Sequence, residues 1–183
     1  MHKNTPPARV LVVEDEMVVA RDIQMQLQDM GYQVAGHITR GEDAITLAGQ
    51  MRPDMVLMDI QLAGAMDGVT AAQAIRQQFG VPVIFLTAFA ADDILARAKM
   101  VEPYGYILKP FSERELKTVL EMALYKHQIE KRLHDAALHN QIILDNMLDG
   151  VITMSDEGLI DSINLAACRI FGDAANDVLG CNV

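Results

Sequence analysis

Between Val10 and Lys126, short apolar runs alternate five times with stretches of helical periodicity, and this alternation constrains the fold more than any other feature. The runs are Val10–Val13, Tyr32–Gly36, Met55–Met58, Val81–Leu86 and Gly105–Leu108. They are of strand length, and the strongest are apolar throughout, as strands buried on both faces are. Between the first two, Met17–Met30 carries Val18, Ile23, Leu27 and Met30 at near-helical spacing, and Gly31 stops it. Further helices are expected at about Glu42–Met51, ahead of Arg52-Pro53, at Val69–Phe79 and at Ala90–Val101. Pro82 is tolerable because the first position of a strand need not donate a hydrogen bond. The alternation predicts an α/β fold: a doubly wound, five-stranded parallel sheet with helices on both faces, joined by right-handed crossovers. The expected strand order is 2-1-3-4-5, with strands 1 and 3 at the switch point.

Four of the five runs end on polar residues: Glu14 and Asp15, Asp59, Thr87, and Lys109. In an open parallel sheet the carboxyl ends of the strands share one rim, and ligands bind there. Asp59 alone reads either as a strand-ending turn residue or as a nucleophile or metal ligand. Its neighbours extend the second reading. Glu14, Asp15 and Asp59 could hold a hard divalent cation through oxygen, as magnesium is held by a few carboxylates with phosphate oxygens. Without a cation the three acids would repel one another and raise a pKa. Lys109 offers a point charge to phosphoryl oxygens, or a plain salt bridge to Asp59. Thr87 offers a hydroxyl, and Ala88 is small enough to leave the site open. The set fits an aspartyl nucleophile for phosphoryl transfer, where positioning and charge neutralisation supply most of the catalysis.

From about Arg9 to Lys126 the chain resembles the receiver domain of two-component response regulators. The carriers are Glu14-Asp15 after strand 1, Asp59 after strand 3, Thr87-Ala88 after strand 4 and Lys109-Pro110-Phe111 after strand 5. The resemblance implies a flavodoxin-like fold in which Asp59 accepts a phosphoryl group from a histidine kinase or a histidine phosphotransfer protein, with Thr87 and Lys109 beside it. It implies that Glu14, Asp15, Asp59 and the backbone carbonyl of Gln61 bind Mg2+, and that the Lys109–Pro110 bond is cis. It places Tyr106 at the family's aromatic switch position; by itself Tyr106 reads as a half-buried strand tyrosine. The loop after Asp59 departs from the family. Where a proline commonly stands four residues after the phosphoacceptor this chain has Ala63, and the Asp67-Gly68 pair comes one residue late. The loop Gln61–Gly68 is therefore expected to be reshaped, with consequences for phosphoryl lifetime.

Ser112 and Glu115 form a capping box, and neither Pro nor Gly occurs between Phe111 and Gly150. A helix from Ser112 to about Met147 would be on the order of 50 Å long. Ile129, Leu133, Ala136, Asn140, Ile143 and Met147 alternate spacings of four and three, the seam of a coiled coil with one polar Asn, or else a solvated linker helix. Lys126, His127, Lys131 and Arg132 read as a solvated basic face. Next come two short strands about a turn at Glu157-Gly158, then a helix opened at Asn164 and ended at Phe171-Gly172. With Asp149-Gly150-Val151, Ala167 and Leu179-Gly180, these residues resemble the start of a PAS sensor domain. A two-stranded remnant cannot bury a core alone. The expected organisation is a disordered tail over 1–8, a receiver over 9–125, a signalling helix over 126–147 and a partial α+β PAS segment over 148–183.

A net charge of −10 argues against a nucleic-acid surface. No apolar run approaches the roughly 18 residues of a membrane helix. The two cysteines, Cys168 and Cys181, lack metal spacing, and with no signal peptide they fit a reducing cytoplasm. The reading is a response regulator receiver, catalysing only its own phosphorylation and dephosphorylation, that homodimerises through its last helix and passes its signal to a PAS-containing region. One rival is a magnesium-dependent aspartyl-phosphate phosphatase, but such enzymes place an acid two residues after the nucleophile, where Gln61 stands. The other is an interaction scaffold without phosphate chemistry, which would not need the full set of acids, Thr87 and Lys109.

Overall fold

The computed structural model describes residues 6–88, 98, 101–172 and 178–181. The chain divides into two compact units, Met1–Gln128 and Ile129–Val183. In the first, β1 (Arg9–Val13), β2 (Gln33–Ile38), β3 (Met55–Asp59), β4 (Val83–Thr87) and β5 (Gly105–Leu108) form one parallel sheet in the order β2-β1-β3-β4-β5, as expected. Helices α1 (Met17–Asp29), α2 (Gly41–Met51) and α3 (Gly68–Phe79) intervene, and α4 (Glu113–Asn146) follows β5.

The period of two along each inner strand builds two cores. Val10, Val12, Met55, Leu57, Ile84 and Leu86 face Ile23 and Leu27 of α1 and Leu116 and Leu120 of α4. Leu11, Val13, Val56, Met58, Val83 and Phe85 face Ala44 and Ala48 of α2 and Val69, Ala72 and Ile75 of α3. Both faces are covered, which is why β3 and β4 are apolar without alternation and buried along their whole lengths.

Several details differ from expectation, some for local and some for tertiary reasons. The buried stripe of α1 is Ala20, Ile23 and Leu27, while Val18 is 84% exposed. Val18 precedes Ile23 by five residues and so falls off the three-four spacing of one helix face. Strand β2 continues past Gly36 because its pairing with β1 runs on to Val13 and Ile38. Pro82 lies just outside β4, where its carbonyl accepts from the Val56 N–H at 3.0 Å. The helix expected at Ala90–Val101 falls outside the described residues except for Ala98 and Val101, both buried in the α2/α3 core. Residues 1–5 of the expected tail also lie outside them, and 6–8 carry no regular structure.

The capping box at the start of α4 is formed in both directions. Glu115 N–H donates to Ser112 Oγ at 3.3 Å, and Ser112 N–H donates back to Glu115 Oε2 at 2.7 Å. Leu116, Leu120 and Ala123 are buried, and no residue of α4 beyond them is. The basic stretch is more than a solvated face. His127 meets the Tyr104 ring edge-on at 5.6 Å, and Lys126 Nζ lies 5.2 Å from its centroid. The helix has 34 residues, about 50 Å at 1.5 Å per residue. Among the described residues no helix is long and apolar enough to cross a membrane.

In the second unit β6 (Ile152–Met154) and β7 (Ile160–Ile163) pair antiparallel, and α5 (Leu165–Phe171) follows. Gly158 takes the positive φ of 80° that the turn requires. Asn164, only 3% exposed, joins these pieces. Its Oδ1 accepts from Ala167 N–H and Val151 N–H, and its amide donates to the carbonyls of Leu144 and Asp149, all within 3.0 Å.

Candidate functional site

The sheet brings the carboxyl ends of β1, β3, β4 and β5 to one rim. Glu14 is fully buried, and Asp59 and Thr87 are 6% and 9% exposed. Lys109 Nζ lies 2.5 Å from Asp59 Oδ2 and 2.6 Å from Glu14 Oε2, so one ammonium serves two acids. Asp59 Oδ1 accepts the Gln61 N–H at 2.9 Å, and Asp15 Oδ2 accepts the Ala63 N–H at 2.9 Å. Carboxylate oxygens of Glu14, Asp15 and Asp59 all lie within 4.8 Å of one another. Thr87 ends β4 next to this group, and its carbonyl accepts the Lys109 N–H at 2.7 Å. The Lys109–Pro110 bond is cis. An open hollow of about 320 Å³ lies over Asp59, bounded by Asp15, Gln61, Ala63, Ala88 and Lys109.

Burial pushes the Glu14 carboxyl up to about 7; Lys109 works against this rise and the Asp59 charge adds to it. Burial also disfavours the charged Lys109, but hydrogen bonds and charge from Asp59 and Glu14 outweigh that and raise its pKa. The pair thus holds the proton on Lys109 without offsetting the cost of burying Glu14. Glu14 Oε2 is buried against the Lys109 ammonium, which it shares with Asp59. Among the described residues, three converging acids share the one Lys109 ammonium, which leaves net negative charge at the rim for further positive charge to offset. Glu14, Asp15 and Asp59 therefore fit a hard divalent cation.

Tyr106 is not brought to this rim. It stands opposite Phe85 in the β4–β5 ladder with its ring centroid 5.8 Å from that of Phe85, in the α2/α3 core. Its hydroxyl is buried without a hydrogen-bond partner among the described residues, and burial raises its pKa.

Three contributors escaped the sequence reading. His37 Nε2–H donates to the Glu14 carbonyl at 2.8 Å, a contact set by the β1–β2 register and by no local signal. The Ala63 N–H is a backbone group and leaves no mark in the sequence. Gly68 shows as a loop glycine after Asp67, which caps α3 by accepting from the Thr70 N–H at 2.8 Å. Its deeper constraint is non-local: a Cβ there would come within 1.8 Å of the Asp59 backbone oxygen.

Residues 10–121 match the family model of the response regulator receiver domain. The chain belongs to that family. The transcriptional regulatory protein PdtaR of Mycobacterium tuberculosis is 36% identical over 118 residues, covering 64% of this chain and 57% of PdtaR. The chain thus spans little more than half the length of that relative. Among solved structures, the signal receiver domain of a modulated diguanylate cyclase from Desulfovibrio desulfuricans G20 is 39% identical. Its TM-score is 0.66, and the match covers 68% of this chain and 98% of that one. The N-terminal domain of a response regulator/sensory box/GGDEF 3-domain protein from Carboxydothermus hydrogenoformans is also 39% identical, with TM-score 0.59, over 72% and 99% of the two chains. The receiver's acid rim lies wholly within the matched residues.

Proposed function

We propose that Asp59 is the phosphoacceptor of this response regulator, taking a phosphoryl group from a histidine kinase or a histidine phosphotransfer protein. The observation that carries the reading is the placement of Asp59: held by Gln61 N–H on one oxygen and Lys109 on the other, with Glu14 and Asp15 converging on it under an open hollow. In the transfer an Asp59 carboxylate oxygen attacks phosphorus. A P–O bond forms as the donor's P–N bond breaks, and the electron pair leaves with the imidazole. Glu14, Asp15, Asp59 and the Gln61 carbonyl would hold Mg2+, which when bound neutralises charge on the phosphoryl oxygens. Lys109 shifts from the Asp59 carboxylate to those oxygens, and the Thr87 hydroxyl donates to them. Tyr106 reports the change on the β4–β5 face.

The signal then passes along α4 to the following region. A receiver ahead of a sensory box in the name of the Carboxydothermus protein supports reading residues 148–183 as the start of a PAS module. Exposed Ile129, Leu133, Ile143 and Met147 support pairing of α4 with a second copy.

Acetyl phosphate with Mg2+, read by intact mass, tests the assignment. One stoichiometric adduct is expected, absent in Asp59→Ala and in excess EDTA. Sustained turnover without a stable adduct would favour a phosphatase, and no labelling would favour a scaffold. An adduct that survives Asp59→Ala would reject Asp59 as the acceptor.

A further inference from the structure

We infer that the backbone N–H of Ala63 is a positioning group for Asp15: the loop after β3 presets this acid as a cation ligand and ties its own order to metal occupancy. The inference rests on the phosphoacceptor reading above. Asp15 follows β1 and is partly exposed, so its side chain has rotamer freedom that binding a cation would remove. The hydrogen bond that holds it comes from a residue 48 positions away. The donor belongs to a loop anchored on both sides. Gln61 N–H holds Asp59 Oδ1 before it, and Gly68 N–H closes on the Ile60 carbonyl at 3.0 Å after it. Two N–H groups of one loop therefore grip two acids that arrive on different strands. The β1–β3 pairing places the two acids side by side, and the loop holds a carboxylate oxygen of each. A carboxylate offers about four acceptor sites, so one donor on Oδ2 leaves room for a cation.

Groups that orient a metal ligand from behind are commonly worth about 10- to 100-fold in metal affinity. Coupling of this kind is reciprocal: if the bond favours the cation, the cation must favour the bond. Ala63→Pro removes the N–H, whereas Ala63→Ser keeps it. Mg2+ titrated onto the full chain by calorimetry should bind about tenfold more weakly to Ala63→Pro, and within about twofold of normal to Ala63→Ser. With acetyl phosphate, Ala63→Pro should raise the Mg2+ concentration for half-maximal labelling. In the unaltered chain, Mg2+ should slow hydrogen exchange of the Ala63 amide, a readout that holds even where the proline variant does not fold. Normal Mg2+ affinity in Ala63→Pro, an equal loss in Ala63→Ser, or Ala63 exchange that Mg2+ leaves unchanged or accelerates would each overturn the inference. Absence of Mg2+ binding in the unaltered chain would instead remove the reading on which it rests, and this inference with it.

Discussion

Lys109 serves two acids, and its removal separates what the ammonium does from what a metal does. In Lys109→Ala the buried Glu14 and Asp59 lose their counter-charge, at a cost on the order of 3 kcal/mol for a pair so buried. A bound cation offsets that cost by mass action. Thermal unfolding in EDTA should therefore show a marked loss for Lys109→Ala, and Mg2+ should raise its Tm more than that of the unaltered chain. Equal Mg2+ shifts would show that lysine and metal do not share the same charge. Gly68 makes a steric point at the same rim. The Cβ of Gly68→Ala would meet the Asp59 backbone oxygen at 1.8 Å, so the loop or strand end must move, at a cost of about 2 kcal/mol or more. Gly31 is constrained differently: it has a positive φ, 84°, and open space around it. Urea unfolding should show a loss for both Gly→Ala variants, and phosphodonor labelling should fall for Gly68→Ala alone.

At the scale of elements, α4 starts where two residues satisfy each other's free groups. Glu115 accepts from the backbone N–H and hydroxyl of Ser112, which lower its pKa although it is fully exposed. A carboxyl whose pKa is lowered on folding contributes stability above its ordinary value of 4.5 and loses it as pH falls through the folded value. Glu115→Gln should thus be less stable than the unaltered chain at pH 7, with the gap closing under acid. Urea midpoints across that range check the sign; a gap independent of pH would mean that the carboxylate charge contributes nothing. Asn164 does in the second unit what the box does in the first. Its one side chain caps α5 and ties the end of α4 to the hairpin.

For the whole molecule, the length of α4 is the main consequence. Its buried face ends at Ala123, yet the helix runs to Asn146. Leu133 and Ile143 of the heptad seam are 66% and 48% exposed, apolar surface that a second copy would cover. A chain ending near Tyr125 should dimerise more weakly than one ending at Asn146, and light scattering with and without phosphodonor reads both states. Identical masses for the two would refute pairing through the seam and leave the receiver intact.

The sequence alone determined the strand order, the two-sided core and the membership of the rim, because each follows from local pattern: apolar runs of strand length, helical spacing between them, and a polar residue after β1, β3, β4 and β5. It also determined both ends of α4, since the Ser112–Glu115 box and the absence of Pro and Gly up to Gly150 are local signals. Tertiary structure decided what depends on register and close approach. That Lys109 bridges Glu14 as well as Asp59, that His37 holds the Glu14 carbonyl, and that Gly68 admits the Asp59 backbone are contacts that only the folded sheet and its loops bring together. The extension of β2 to Ile38 and the burial of the Tyr106 hydroxyl were set in the same way, by neighbours that arrive only once the sheet has formed.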